Sequence, residues 1–217
     1  MTFHVKLPIF VARQWIRHRT ARVNEISGRY SVLKDDFYIP APKDLAAQST
    51  DNKQGRSDTA MNPEESEKIR TAFETAQKKA YDDYSALVEK GLARELARIN
   101  LPLSLYTQWY WQIDLRNLFH FLELRMDSHA QKEIRLYSEV MFEIAKKVAP
   151  LCCASFEEHV LGEVSFSKSE FSELQCRLNI TGSQAGMKKP AGGSAESTLN
   201  GKAKERFEEK IQYGRQR

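Results

Sequence analysis

Residues 17–31 read RHRTARVNEISGRYS. Arg17, Arg19, Arg22 and Arg29 surround a single acid, Glu25. Guanidinium groups are planar, forked donors that match phosphate oxygens. Ser27 and the backbone N–H groups around Gly28 add neutral donors, and glycine lets the backbone approach a ligand closely. Glu25 is a counter-charge able to accept from sugar hydroxyls. On this chemistry the stretch is either an oxyanion site suited to a nucleotide or a solvated, charge-mixed loop, and a short motif alone does not separate the two. Polar and containing Gly28, Thr20–Ser31 is expected to be irregular.

Outward from this stretch the chain becomes periodic. Thr2–Leu7 alternates like a strand. Pro8 suits the first turn of a helix, and Ile9, Val11, Ala12, Trp15 and Ile16 give Pro8–Arg17 an apolar face. Downstream, Phe37–Ile39 is a short strand closed by Pro40 and Pro42, and residues 43–61 look loop-like. Asn62 is an N-cap, with Pro63 in the first turn and Glu65 at the capping-box position. Ile69, Phe73, Ala76, Ala80, Tyr84 and Leu87 follow at helical spacing up to Gly91, a C-terminal cap. Arg94–Ile99 is a short helix and Leu105–Ile113 an aromatic, β-branched strand. Asp114 caps a helix whose Leu115, Leu118, Phe119 and Leu122 face inward. A last core helix spans about Ser128–Lys147 and stops at Pro150. The stripe Trp109, Trp111 and Ile113 belongs to the core or to a subunit interface.

The expected fold is therefore α+β, with helices packed on a small, mostly antiparallel sheet. Residues 1–180 form a single domain, followed by a low-complexity, disordered tail at 181–217. In that tail 181–201 is a linker, and 202–213 a charged helix with little to bury. No internal repeat is visible.

The 217 residues are 41% hydrophobic and 29% charged, as in a soluble globular protein. No apolar run is long enough to span a bilayer, and MTFHVKLPIF lacks a signal-peptide core, so a cytoplasmic location without membrane contact is expected. Three cysteines without framework spacing, and no CxxC, argue against disulfides and a cysteine zinc site. Five histidines without an HExxH pattern give no metal site, and a lone His4 or His159 reads as structural. The net charge of +4 lies in residues 181–217, the first 180 residues being neutral overall with a local basic focus in residues 1–40. A neutral body argues against a nucleic-acid surface and for a small anionic ligand.

The RHR triplet, followed after seven residues by Ser27 and continued as SGRYS, resembles the signature of flavin-dependent thymidylate synthases. FHVKLPIFVARQWIRHR, FYIP, ELARINLPLSLYTQWYW and LRNLFHFLELRMDSHAQKEIR are similar to the same family, so the likeness runs over roughly residues 2–160. It implies conversion of dUMP to dTMP, with methylenetetrahydrofolate as carbon donor, reduced FAD as hydride donor, NADPH as reductant, and tetrahydrofolate as folate product. It also implies a homotetramer with sites shared between subunits.

Residue by residue, the resemblance places Gln14, Arg17, Glu25, Ser27, Gly28, Arg29, Arg98 and Arg125 at dUMP-binding positions, with Arg98 serving a neighbouring subunit's site. It places Arg17, His18, Arg19, Asn24, Glu25, Arg116 and His120 at FAD-binding positions, and His129 near the flavin. Asp114 stands where the family often has Asn, and either touches the flavin or only caps its helix. Arg125 is the catalytic candidate: set against the uracil ring it favours ionisation at N3, because a fixed cation stabilises the anionic form. A terminal Arg of this kind also serves the helix dipole. Ser27 is expected to orient dUMP and not to act as a covalent nucleophile, since no base stands beside it in the motif.

Departures are Arg22 in place of Ser and His120 in place of Asn. Family members carry several tens of residues ahead of the FHVK strand, including a His and a hydroxyl residue near the flavin. This sequence opens inside that strand, from which weaker FAD binding is expected. The stretch after Thr181 does not resemble the family. A nucleotide-binding protein without catalysis is the competing reading.

Overall fold

Strand β5 (Tyr106–Gln112) organises the first unit because its side chains alternate between buried Thr107, Trp109 and Trp111 and more open neighbours. It is the central strand of three. On one side lies β1 (Thr2–Pro8), antiparallel, pairing Phe3 with Trp111 and Val5 with Trp109; on the other lies β2 (Arg22–Glu25), also antiparallel, pairing Arg22 with Gln112 and Glu25 with Trp109. The computed structural model describes residues 1–50, 55–178 and 199–215. These divide into two units, Met1–Phe156 and Glu157–Arg217.

β2 corrects the expectation of irregular chain at Thr20–Ser31. All four of its residues are exposed, so no hydrophobic alternation marks it; it is a strand only because β5 supplies the ladder. Residues 43–61 are likewise not a simple loop. They hold a 3₁₀ turn at Pro42–Asp44 and a hairpin of β3 (Ala46–Gln48) and β4 (Arg56–Ala60). Phe37 makes one antiparallel bridge to Leu105.

Helix α1 (Ile9–Trp15) follows Pro8, and Val11, Ala12 and Trp15 are buried. The Trp15 ring stacks on Phe121 at 4.8 Å and meets Trp109 and Trp111 edge-on at 5.7 and 5.4 Å. The Trp109–Trp111–Ile113 stripe is thus core. Helix α2 (Pro63–Glu89) is capped by Asn62, whose side chain accepts from Glu64 N–H at 2.9 Å, and not through a reciprocal box with Glu65. It ends at Gly91, φ +84°, with Gly91 N–H bonded to Val88 O and Leu92 N–H to Leu87 O, the paired closure that a left-handed residue permits. Next come α3 (Arg94–Ala97), a 3₁₀ turn at Arg98–Asn100, and α4 (Leu115–Met126). The last helix of the core, α5 (Lys132–Val148), begins at Lys132 and not at Ser128. After the break at Ala149, Pro150 opens α6 (Pro150–Phe156), where its missing N–H costs nothing.

In the second unit α7 (Lys168–Arg177) has a full capping box between Ser167 and Glu170, and α8 (Lys202–Arg215) lies against it. Lys210 pairs with Glu170 and Arg177 with Glu208, both at 2.8 Å. Phe207 is completely buried, 6.0 Å from Phe166. The expectation that 202–213 buries little fails at this one residue. The boundary expected at residue 180 lies inside this unit, and the linker expected at 181–201 falls mainly outside the described residues. Among the described residues no helix is long and apolar enough to cross a membrane, and no group of His, Cys, Asp or Glu is arranged to hold a metal.

Candidate active site

Two elements end together beside the aromatic core. α1 finishes just before Arg17-His18-Arg19, and α4 carries Arg125 in its last turn. Phe121, one turn before Arg125, packs edge-on against the His18 ring at 4.9 Å. That contact fixes the imidazole so that Arg125 Nε donates to His18 Nε2 at 2.9 Å. His120, on the same helix, lies 6.4 Å from His18. Burial first, then the charge of Arg125 and the nearness of His120, lower His18 from its usual range to about 4. His18 is therefore a neutral acceptor at physiological pH. Burial also lowers Arg125, which stays a cation.

Gln14, also on α1, donates from Nε2 to Oε1 of Gln131, which draws the Asp127–Gln131 turn to the same place. His129 on that turn is exposed and held by Asp127, whose Oδ1 accepts the His129 backbone N–H at 2.7 Å and lies 2.8 Å from Nδ1. Ser128, His129 and Gln131 line a polar cavity of about 670 Å³ with Arg56, Glu133 and Arg135. A second, apolar groove of about 420 Å³ runs between β1 and the Leu136–Val140–Ile144 side of α5.

A separate group forms after β2. Glu25 accepts from Thr107 Oγ at 2.5 Å across the sheet. Ser27 starts a turn: its carbonyl receives Tyr30 and Ser31 N–H, and its Oγ receives Arg29 N–H at 3.3 Å. Gly28 is needed here for space, not for φ, since a Cβ would come within 3.0 Å of Leu33 and 3.2 Å of Arg98. Arg29 pairs with Glu95 at 3.1 Å, and Arg94 donates to Tyr30 O, so α3 holds the turn. Thus Ser27, Gly28, Arg29 and Arg98 come together, as do His18, His120 and Arg125, while the Gln14 side chain is tied to Gln131. Among the described residues no hydrogen bond, ion pair or ring contact joins the two groups.

The remaining candidates lie on open surface. Arg17, Arg19 and Arg116 are exposed and make no ion pair among the described residues, which leaves their donors free for an anion. Asn24, opposite Tyr110 on β5, lines with Glu25 a shallow pocket of about 260 Å³. Asp114 is the observed cap of α4, accepting Asn117 N–H at 2.9 Å and Asn117 Nδ2 at 2.6 Å. Arg22 is exposed at the start of β2. The sequence reading missed Gln131, which Gln14 bonds, and Glu133, Arg56 and Tyr38, which stand behind Gln131. The available signal was Glu133 itself, an acid on the inward face of α5 beside Ile134, Ser138 and Met141.

Comparison with known proteins gives the arrangement a family. The thymidylate synthase complementing protein family matches residues 1–151, and the thymidylate synthase ThyX C-terminal domain matches residues 164–217. This chain belongs to the flavin-dependent thymidylate synthase family. It is 60% identical to the flavin-dependent thymidylate synthase of Treponema denticola over 99% of this chain and 76% of that protein, and 53% identical to that of Treponema pallidum over its whole length and 66% of that protein. A solved UMP/dUMP methylase of Streptomyces cacaoi, bound with 5-Br dUMP, superposes with a TM-score of 0.66 at 32% identity, covering 74% of this chain and 71% of that one. The fold is the α+β fold of those methylases. The stretch after Thr181, expected to stand apart from the family, lies within the match to its C-terminal domain. That likeness was invisible to motif reading because the segment is dominated by small and charged residues.

Proposed function

We propose that this chain forms dTMP from dUMP by reductive methylation, with methylenetetrahydrofolate as carbon donor and NADPH as the reductant of bound FAD. The observation that carries the reading is Arg125 held on a neutral His18, in a chain of this family. Arg125, facing a uracil ring, stabilises the N3-ionised base and so raises electron density at C5, where the new carbon must attach. A protonated His18 would have no lone pair at Nε2 for Arg125, so the neutral imidazole is part of the device. Ser27, Gly28, Arg29 and Arg98 bind the nucleotide, together with Gln14, Arg17 and Glu25. Ser27 orients dUMP and does not attack it, because its hydroxyl faces Arg29 N–H and no histidine is bonded to it among the described residues.

The residues suit FAD. Three unpaired guanidinium groups, Arg17, Arg19 and Arg116, match a diphosphate, and His18, Asn24, Glu25, His120 and His129 supply further polar contacts, with Asp114 serving mainly as a cap. Reduced FAD, when bound, supplies the hydride. The separation of the nucleotide residues into two groups supports a homotetramer in which subunits complete each other's sites. An exposed apolar stripe on α5, made of Leu136, Val140, Ile144 and Val148, is available for that assembly. A cytoplasmic location fits a dUMP-consuming enzyme.

The test is to purify the protein, record its flavin spectrum, and assay dTMP formation from dUMP, methylenetetrahydrofolate and NADPH with FAD present. Expected are bound flavin and tetrahydrofolate as the folate product. Colourless protein that binds dUMP without turnover would overturn the proposal in favour of nucleotide binding alone.

A further inference from the structure

Behind Gln14 stands a buried carboxylate that no part of the proposed mechanism uses. Glu133, in the first turn of α5, is 7% exposed. Its Oε1 accepts from Tyr38 OH at 2.9 Å and from Arg56 Nη2 at 2.8 Å, and its Oε2 accepts from Gln131 Nε2 at 2.8 Å. Two of its three partners, Arg56 and Tyr38, are themselves anchored. Arg56 Nη1 donates to Asp44 O at 2.7 Å, and the Tyr38 carbonyl receives Gln77 Nε2 at 3.0 Å. Burial opposes the charge on Glu133, but hydrogen bonds from Arg56, Gln131 and Tyr38 hold its carboxyl below the usual range.

An ionised carboxylate only accepts. Gln131 must therefore turn its NH₂ toward Glu133, which leaves its Oε1 to face Gln14. Gln14 in turn must offer NH₂ to that oxygen. What remains outward on Gln14 is its own Oε1, which has no partner among the described residues. The order of donors and acceptors is thus decided at Glu133 and passed along two amides.

We propose that Glu133 is a positioning residue that sets the hydrogen-bonding polarity of Gln14, so that the site presents a carbonyl oxygen to a donor on the nucleotide. This rests on reading Gln14 as a nucleotide-binding residue. The donor is the sugar 3′-hydroxyl, because the one ring N–H of dUMP, at N3, is the group that Arg125 ionises. A group that only accepts at that point meets an oxygen and is rejected, so the relay selects among nucleotides as well as binding them.

Glu133→Gln keeps the shape but can place an NH₂ against Gln131, which reverses both amides. The dUMP dissociation constant, measured by calorimetry on the full chain, should then rise about tenfold, the equivalent of one hydrogen bond turned from favourable to opposed. In a Gln14→Ala background the same change should alter affinity by less than about twofold, because the relay then has no end. Gln131→Leu, at an exposed position, cuts the relay while leaving Glu133 its bonds from Tyr38 and Arg56 and should follow the same pattern, so a poorly folding Glu133→Gln does not leave the question open. 2′,3′-Dideoxy-UMP lacks that hydroxyl, so the dependence on Gln14 should vanish with it. Equal losses in both backgrounds, or dependence on Gln14 kept with the dideoxy analogue, would overturn the relay. Without any nucleotide, Glu133→Gln should also shift the side-chain NH₂ signals of Gln14 and Gln131 in NMR spectra. Unmoved signals would refute it even where dUMP proves to be the wrong ligand, whereas failure of the wild-type protein to bind dUMP counts against the proposed function alone.

Discussion

Arg125 and His18 depend on each other, and the dependence can be read by titration. The folded His18 titrates near 4 and an ordinary histidine near 6.5. Between those values the unfolded chain binds a proton that the native chain does not, so stability falls as pH drops through this window. The thermal midpoint should decline from about pH 6.5 toward pH 4, and His18→Gln should remove this part of the decline. Arg125→Ala deletes a neighbouring cation and should move the His18 titration upward, as followed by NMR. The same substitution should abolish dTMP formation while the fold persists, because Arg125 is half-buried at a helix end and carries no core packing. Near-normal turnover at unchanged thermal stability would remove it from the mechanism. Ser27→Ala should behave differently. It loses one neutral hydrogen bond, worth about 1 kcal/mol, so dUMP binding should weaken several-fold with turnover slowed but retained. A nucleotide–Ser27 adduct seen by mass spectrometry would contradict that role.

Helix ends and strand ladders explain why those side chains meet. Asp114 starts α4, and α4 delivers Arg116, His120 and Arg125 on successive turns. Asp114→Ala should cost about 1 kcal/mol in denaturant unfolding, and Asp114→Asn only a few tenths, because Asn caps as well as Asp. If flavin affinity also falls in Asp114→Asn, the residue does more than cap. At the other end of the site, Trp15 joins α1 to β5 and α4 through three ring contacts. A Trp15→Ala cavity there should cost roughly 3–5 kcal/mol and loosen His18 with it.

At the scale of the chain, two features await measurement. The α5 stripe of Leu136, Val140, Ile144 and Val148 repeats every helical turn on the exposed side while Met141, Phe142 and Ala145 fill the core side. Val140→Asp should shift the sedimentation profile toward smaller species with little change in secondary structure, if the stripe is a subunit contact; an unchanged tetramer would place the contact elsewhere. In the second unit, Phe207 is a fully buried residue of α8, so Phe207→Ala should cost about 3 kcal/mol locally and raise proteolysis of Lys202–Arg215.

The sequence by itself determined the periodic elements: α1, α2 with its Asn62 cap and Gly91 stop, β1, β5 and the capped α4. In each of these, apolar spacing and terminal chemistry point to the same local structure. It also offered candidates for the site, through the RHR and SGRYS stretch and the family resemblance, but not their grouping. What only the tertiary structure decided were the features whose partners lie far along the chain. β2 is polar throughout and becomes a strand because β5 offers unpaired backbone groups. Gly28 is small because Arg98 lies against it. His18 is neutral because Phe121 and Arg125 bury and face it. Glu133 is ionised inside because Tyr38, Arg56 and Gln131 converge on it. Local propensity cannot encode such convergence, since its energy arises only when the distant donors are already in place.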